Sequence, residues 1–175
     1  MKAIRIHEYG GPEKIYCDEI SQPECPTDKI KINIKASALN HLDIWVCRGF
    51  SNIHTTLPLI LGSDGAGTIL EVGRDIKHWK KGDDIVIQPG VFCGVCNRCN
   101  LGEENYCLRY GILGETQNGV QAQYILTEPH NIHSKPLHLS FAEASSMQLV
   151  FMTAYQMLVS RAKINKGDRV LIYGG

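Results

Sequence analysis

The chain has no net charge of either sign: its 18 lysines and arginines equal its 18 aspartates and glutamates. The summed field is therefore weak, and neither nucleic acid nor an anionic membrane surface is the expected partner. Long apolar runs are also missing, since no stretch approaches the roughly 18 consecutive apolar residues of a membrane span. The opening MKAIRIHEYG lacks the apolar core of a signal peptide, so a cytoplasmic protein is expected. An even cysteine count is absent as well. Seven cysteines would leave one thiol unpaired in an oxidising compartment, and a reducing one fits better.

The 175 residues contain 17 glycines and read, up to about residue 90, as short strands joined by turns. KAIRIHEYGGPEKIYCDEI has the form of a hairpin broken at Gly10-Gly11-Pro12. KIKINIKASAL alternates polar and apolar residues, as a half-buried strand does, and GAGTILEVG and DDIVIQ continue the pattern. Gly65, Gly67 and Gly73 stand where a strand bends or another backbone comes close. A barrel or a sandwich satisfies this spacing. GVQAQYIL resumes the alternation after residue 110. Ser140 and Glu143 then form a capping box that opens a helical region through residue 162. The last segment, INKGDRVLIYGG, predicts a turn at Lys166-Gly167-Asp168 and a buried strand at Val170-Leu171-Ile172 running into Gly174 and Gly175. A dinucleotide-binding unit opens in this way.

Residues 91–110 interrupt the strand pattern. Cys93, Cys96, Cys99 and Cys107 follow the spacing CxxCxxCx7C, with Gly94, Asn97, Asn100 and Gly102 as turn formers. Four thiolates close a tetrahedral zinc shell with no open position, which supports folding and performs no chemistry. An iron–sulfur site, a redox pair and a coincidental run are the other readings of the same spacing. Cys17, Cys25 and Cys47 have no partner at ligand spacing. His130 and His133 are close in sequence but lack a third ligand.

Six segments in order carry a resemblance: SALNHLDIWVCRG, ILGSDGAGTILEVG, KGDDIVIQPG, the cysteine lobe, GVQAQYIL, and MTAYQML followed by KGDRVLIYGG. Together they resemble the medium-chain dehydrogenase/reductase family, zinc-type alcohol dehydrogenases and quinone oxidoreductases included. The resemblance implies a mainly β fold with some α. It would be a GroES-like β-barrel catalytic domain over residues 1–140 with a zinc lobe at 91–110. A helical connection and the truncated start of a Rossmann domain would follow over 141–175.

By the same resemblance the lobe holds one structural zinc, and the longer protein uses NAD(P)H and forms a homo-oligomer. The family's catalytic zinc takes a cysteine, a histidine and a third ligand at positions that here read Asn40, Ser63 and Leu149. Asn and Ser are poor zinc ligands and Leu is none. The expectation is reduction of a small carbonyl, enone or quinone without catalytic zinc. Asn40, Asp43 and Ser63 are the candidate catalytic residues, and His41, Thr153, Gly174 and Gly175 the candidate cofactor-binding ones. Each has a plainer reading. Asn40 and Asp43 also suit a helix cap, Ser63 a tight turn, His41 a bare surface position and Thr153 helix packing. Two further functions fit the residues: an alcohol dehydrogenase with an unusual metal site built from His41, Asp43 or Cys47, and a non-catalytic binding module that uses the apolar stretch Met147 to Leu158.

Overall fold

The computed structural model describes residues 1–49 and 55–173. The N-terminal hairpin forms as the sequence predicts: β1 (Lys2–Ile6) and β2 (Ile15–Glu19) pair antiparallel from Lys2 opposite Glu19 to Ile6 opposite Ile15. The free edge of β1 takes the short β4 (Leu59–Ile60). The larger sheet is built on β3 (Ile30–Ala38) and β5 (Asp64–Val72), with β6 (Asp84–Ile87), β9 (Tyr124–Thr127) and β10 (Ile132–Ser134) in the order β10-β6-β5-β3-β9. Every pairing in it is antiparallel. A third, two-stranded sheet joins β7 (Gly90–Val91) to β8 (Gly111–Ile112) at the base of the cysteine lobe.

Isoleucine at alternate positions makes the core. Ile30, Ile32, Ile69, Ile85, Ile87 and Ile132 send their side chains to one face, where Leu113, Val120 and Ile125 meet them. Branched side chains of this kind pack well on a pleated surface, and each stabilises the fold by roughly 1.5–3 kcal/mol when fully buried. Gly67 allows β5 to lie tight against β3, because a Cβ there would sit 2.3 Å from the Asn33 carbonyl oxygen.

The two large sheets are stitched into one wall by residues 119–123. Gly119 donates to Ile60, Gln121 to Leu61 and Gln123 to Lys2, while Gln121 and Gln123 accept from Ile4 and Ile34. The strands thus close toward a barrel, the first of the two architectures the spacing allowed.

An α-helix, α1 (His41–Arg48), follows β3 directly. The predicted capping box at Ser140 is present: Glu143 donates its N–H to Ser140 Oγ at 3.2 Å, and Ser140 donates its N–H to the Glu143 carboxylate at 2.8 Å. It opens α3 (Phe141–Ser145), whose Ala144 is buried against Ala66 and Val86. A second helix, α4 (Gln148–Tyr155), runs on into a π-helical turn over Gln156–Arg161.

The turn before residue 170 forms, with Asp168 donating to the Asn165 carbonyl and Gly167 at φ +102°. The strand expected at Val170-Leu171-Ile172 does not form. These residues are 50%, 74% and 69% exposed, and no described strand runs beside them. Strand backbone needs a ladder partner for its N–H and C=O groups, and an apolar run without one stays irregular. Gly174 and Gly175 lie outside the described residues. No helix among the described residues is long and apolar enough to cross a membrane.

Candidate metal centre and catalytic cleft

The cysteine lobe folds as a string of tight turns, and the turns gather the sulfurs. Cys93 follows β7, Cys96 caps the one-turn helix α2 (Asn97–Asn100), Cys99 lies within α2, and Cys107 ends the 3-10 turn Glu104–Tyr106. Gly94 and Gly102 hold φ near +70°, a region that L side chains rarely enter. All four Sγ atoms lie within 4.8 Å of one another. The Cys93–Cys99 and Cys96–Cys99 separations are 3.8 and 3.5 Å. A tetrahedron of thiolates around zinc has edges of about 3.8 Å when each Zn–S bond is about 2.3 Å.

Backbone amides support the sulfurs: Cys96 N–H points at Cys93 Sγ (3.3 Å) and Arg109 N–H at Cys107 Sγ (3.4 Å). The Val95 backbone N–H, with that of Cys96, holds the Cys93 thiol down at about 5. Burial and the neighbouring Cys96 sulfur push the Cys99 thiol up to about 12. Sulfurs this close resist ionising together unless a cation joins them, which is the condition zinc meets. Among the described residues these four are the only group of three or more His, Cys, Asp or Glu side chains placed to hold a metal. His41, Asp43 and Cys47 do not converge. Neither do His130 and His133: His130 stacks on Phe92 at 4.7 Å, and His133 Nε2 meets the Gln88 side chain at 3.1 Å.

The second cluster of interest sits where β3 passes into α1. Asn40 occupies the cap position before α1, and its backbone N–H donates to Asp43 Oδ2 at 2.7 Å. Its side-chain Nδ2 turns the other way and donates to Asp64 Oδ2 at 3.0 Å. Asp64 opens β5 and is 1% exposed. Its other oxygen accepts the N–H of Leu149 in α4 at 2.8 Å. Burial raises the carboxyl of Asp64 above its ordinary range, against the opposing pull of the Asn40 and Leu149 hydrogen bonds. Asp43 is 7% exposed and its Oδ1 has no hydrogen-bond partner among the described residues; burial raises its carboxyl too, against the pull of the Asn40 and Gly62 backbone amides, and the nearby Asp64 adds to the rise.

Ser63 is fully buried and gives its hydroxyl to the Leu113 carbonyl at 2.8 Å. Thr153 is exposed on α4 and donates to the Leu149 carbonyl at 2.7 Å. His41 is exposed with its ring edge-on to Trp45, centroids 4.7 Å apart. A largely apolar cavity of about 430 Å³ opens beside α1, lined in part by Asn40, His41, Asp43, Ile44 and Cys47.

The structure brings Asn40 and Asp43 together, joins Asn40 to Leu149 through Asp64, and leaves His41 and Thr153 at the surface. Asp64 is a site residue not among the candidates named from the sequence. Its signal was an acid inside a glycine turn at the start of a strand, a pattern a tight turn explains equally well. The positions matching the family's catalytic ligands, Asn40, Ser63 and Leu149, offer an amide engaged with a carboxylate, a hydroxyl engaged with a carbonyl and an aliphatic chain. This donor set does not fit a catalytic zinc. The strand expected to open a dinucleotide cradle is not formed among the described residues.

Comparison with known proteins gives the fold a family. Residues 26–137 match the alcohol dehydrogenase GroES-like domain. An alcohol dehydrogenase of Geobacillus stearothermophilus is 33% identical over 99% of this chain and 51% of its own length. A crotonyl-CoA carboxylase/reductase of Cereibacter sphaeroides is 29% identical over 98% of this chain and 42% of its own. Among solved structures, an NAD-dependent alcohol dehydrogenase superposes with a TM-score of 0.92 at 41% identity, covering 96% of this chain and 49% of that one. The chain spans about half the length of the curated relatives it matches. With that domain matched over most of its length, the chain belongs to the zinc-type medium-chain dehydrogenase/reductase family as an alcohol dehydrogenase GroES-like domain.

Proposed function

We propose that this chain supplies the catalytic domain of an NAD(P)H-dependent oxidoreductase that reduces a small carbonyl, enone or quinone without a catalytic zinc ion. The observation that carries the reading is the state of the three family ligand positions. Asn40 is committed to Asp64, Ser63 to the Leu113 carbonyl, and Leu149 has no donor atom in its side chain. The names of the relatives support the chemistry in part, since they include alcohol dehydrogenases and a crotonyl-CoA carboxylase/reductase.

In this reading the second N–H of the Asn40 amide donates to the substrate carbonyl oxygen, where negative charge grows during reduction. A donor fixed before the reaction stabilises that charge without reorganising. Asp64 holds the amide by its first N–H, which leaves the second free to point outward. Asp43 fixes the cap of α1. Ser63 supports the wall of the cleft rather than touching the substrate. The cofactor would arrive on a domain beyond residue 140 that meets His41 and Thr153, with Gly174 and Gly175 beginning its phosphate loop. We assign residues 1–140 to the catalytic domain, 141–175 to the connection, a homo-oligomer to the longer protein and the cytoplasm as its compartment.

Elemental analysis of the purified protein tests the proposal, paired with NAD(P)H oxidation assays on ketones, enones and quinones. One zinc per chain together with turnover of one of these substrates supports it. Two zincs per chain would transfer the reading to an alcohol dehydrogenase with an unusual catalytic metal site.

A further inference from the structure

Four groups from three segments far apart in sequence form one hydrogen-bonded line. Asn40 Nδ2 donates to Asp64 Oδ2 (3.0 Å), Leu149 N–H donates to Asp64 Oδ1 (2.8 Å), and Thr153 Oγ1 donates to the Leu149 carbonyl (2.7 Å). The middle of the line is rigid for local reasons. Asp64 sits directly across the β3–β5 ladder from Ala38, two residues before Asn40, so the ladder itself sets the reach between carboxylate and amide. At the other end, Met147 caps α4 without a side-chain hydrogen bond. The first turn of any helix has N–H groups without intrahelical partners. Asp64 satisfies one of them, from 85 residues away in the chain.

Both carboxylate oxygens are used, and the residue is almost wholly withdrawn from water. A buried carboxylate with two fixed donors has one orientation, so displacing either donor disturbs the other. We infer that Asp64 is a positioning residue that holds the substrate-facing amide of Asn40 and the Thr153-bearing helix α4 in one fixed relation. The inference rests on the reading of Asn40 and Thr153 as facing substrate and cofactor. It assigns to Asp64 the task of keeping the two sides of that cleft in register.

The test uses the 15N-labelled, zinc-loaded chain and follows two signals, hydrogen exchange at the Leu149 amide and the side-chain NH2 resonances of Asn40. Asp64→Asn presents an NH2 group to one of two donors. It should accelerate Leu149 exchange by about tenfold or more, the loss expected for a hydrogen bond to a charged group. It should also shift the Asn40 NH2 resonances, while zinc content and exchange along β3 and β5 stay as in wild type. Asn40→Ala should by itself accelerate exchange at Leu149, because the carboxylate loses one of its two anchors. That variant reads the coupling even if Asp64→Asn fails to fold. Unchanged Asn40 resonances in Asp64→Asn, or unchanged Leu149 exchange in Asn40→Ala, would overturn the inference. Neither signal needs turnover, so failure of the reductase reading in an activity assay is distinguishable from failure here.

Discussion

Asn40 and Asp64 face each other across 3.0 Å at the point where a strand becomes a helix, with the amide donating and the carboxylate accepting. At the position expected for the family's catalytic cysteine, this chain has an amide bonded to the carboxylate that follows Ser63. Among the described residues the second N–H of the amide has no partner.

On the proposed reading, replacing Asn40 by alanine should lower kcat for carbonyl or enone reduction by about a hundredfold, with KM changed far less, because the lost donor would act on charge that develops only in the transition state. Steady-state kinetics with a protein that also carries a cofactor-binding domain measure this. A rise in KM alone would assign Asn40 to substrate binding instead.

Cys96→Ser removes one of four ligands from a closed shell. The zinc content should fall from one per chain to near zero, and the lobe around residues 91–110 should lose its cooperative melting, since metal binding and folding of such a lobe are one event. Elemental analysis and thermal denaturation followed together check it. Iron in place of zinc in the wild-type protein would refute the metal assignment.

Asp43 gives a pH signature. Its carboxyl titrates above the ordinary 3.8 in the folded chain, so the folded state binds more protons than the unfolded state between the two pKa values. The contribution of Asp43 to stability is therefore complete below about 3.8 and is lost as pH rises through the folded value. Asp43→Asn abolishes this dependence. The stability of the variant relative to wild type should rise with pH above 4 in denaturant titrations, zinc release being common to both proteins. A flat difference would show that Asp43 is not perturbed.

At Gly67, alanine would push a methyl group to 2.3 Å from the Asn33 carbonyl oxygen. The two strands must part or shift, at a cost of about 1–3 kcal/mol in stability. The loss should appear as a lower denaturation midpoint at unchanged slope.

The strands were legible because alternation is local: Ile30, Ile32 and Ile34 announce one buried face before any partner is known. The Ser140 and Glu143 box and the four cysteines were legible for the same reason, since each carries its geometry within a few residues. Ser63 was not. Its hydroxyl is explained by Leu113, 50 residues on, and nothing in a Gly-Ser-Asp-Gly turn shows that the hydroxyl is already engaged. Val170-Leu171-Ile172 failed in the opposite way. A strand is a relation between two segments, and the apolar run describes one side of it.

Residues 119–123 also bear on how the chain comes into being. Gln123 bonds Lys2 and Gln121 bonds Ile4, so the N-terminal hairpin gains its last partner only from a segment some 120 residues later. During synthesis β4 can cover the Arg5–Ile6 end of that edge early, while the Lys2–Ile4 end must wait until residue 123 has left the ribosome. Such long-range closure is slow and leaves strand edges open to the wrong partner. The newborn chain is thus most vulnerable to intermolecular strand pairing before residue 123 emerges, and the cysteine lobe, complete by Cys107, can take up its metal first.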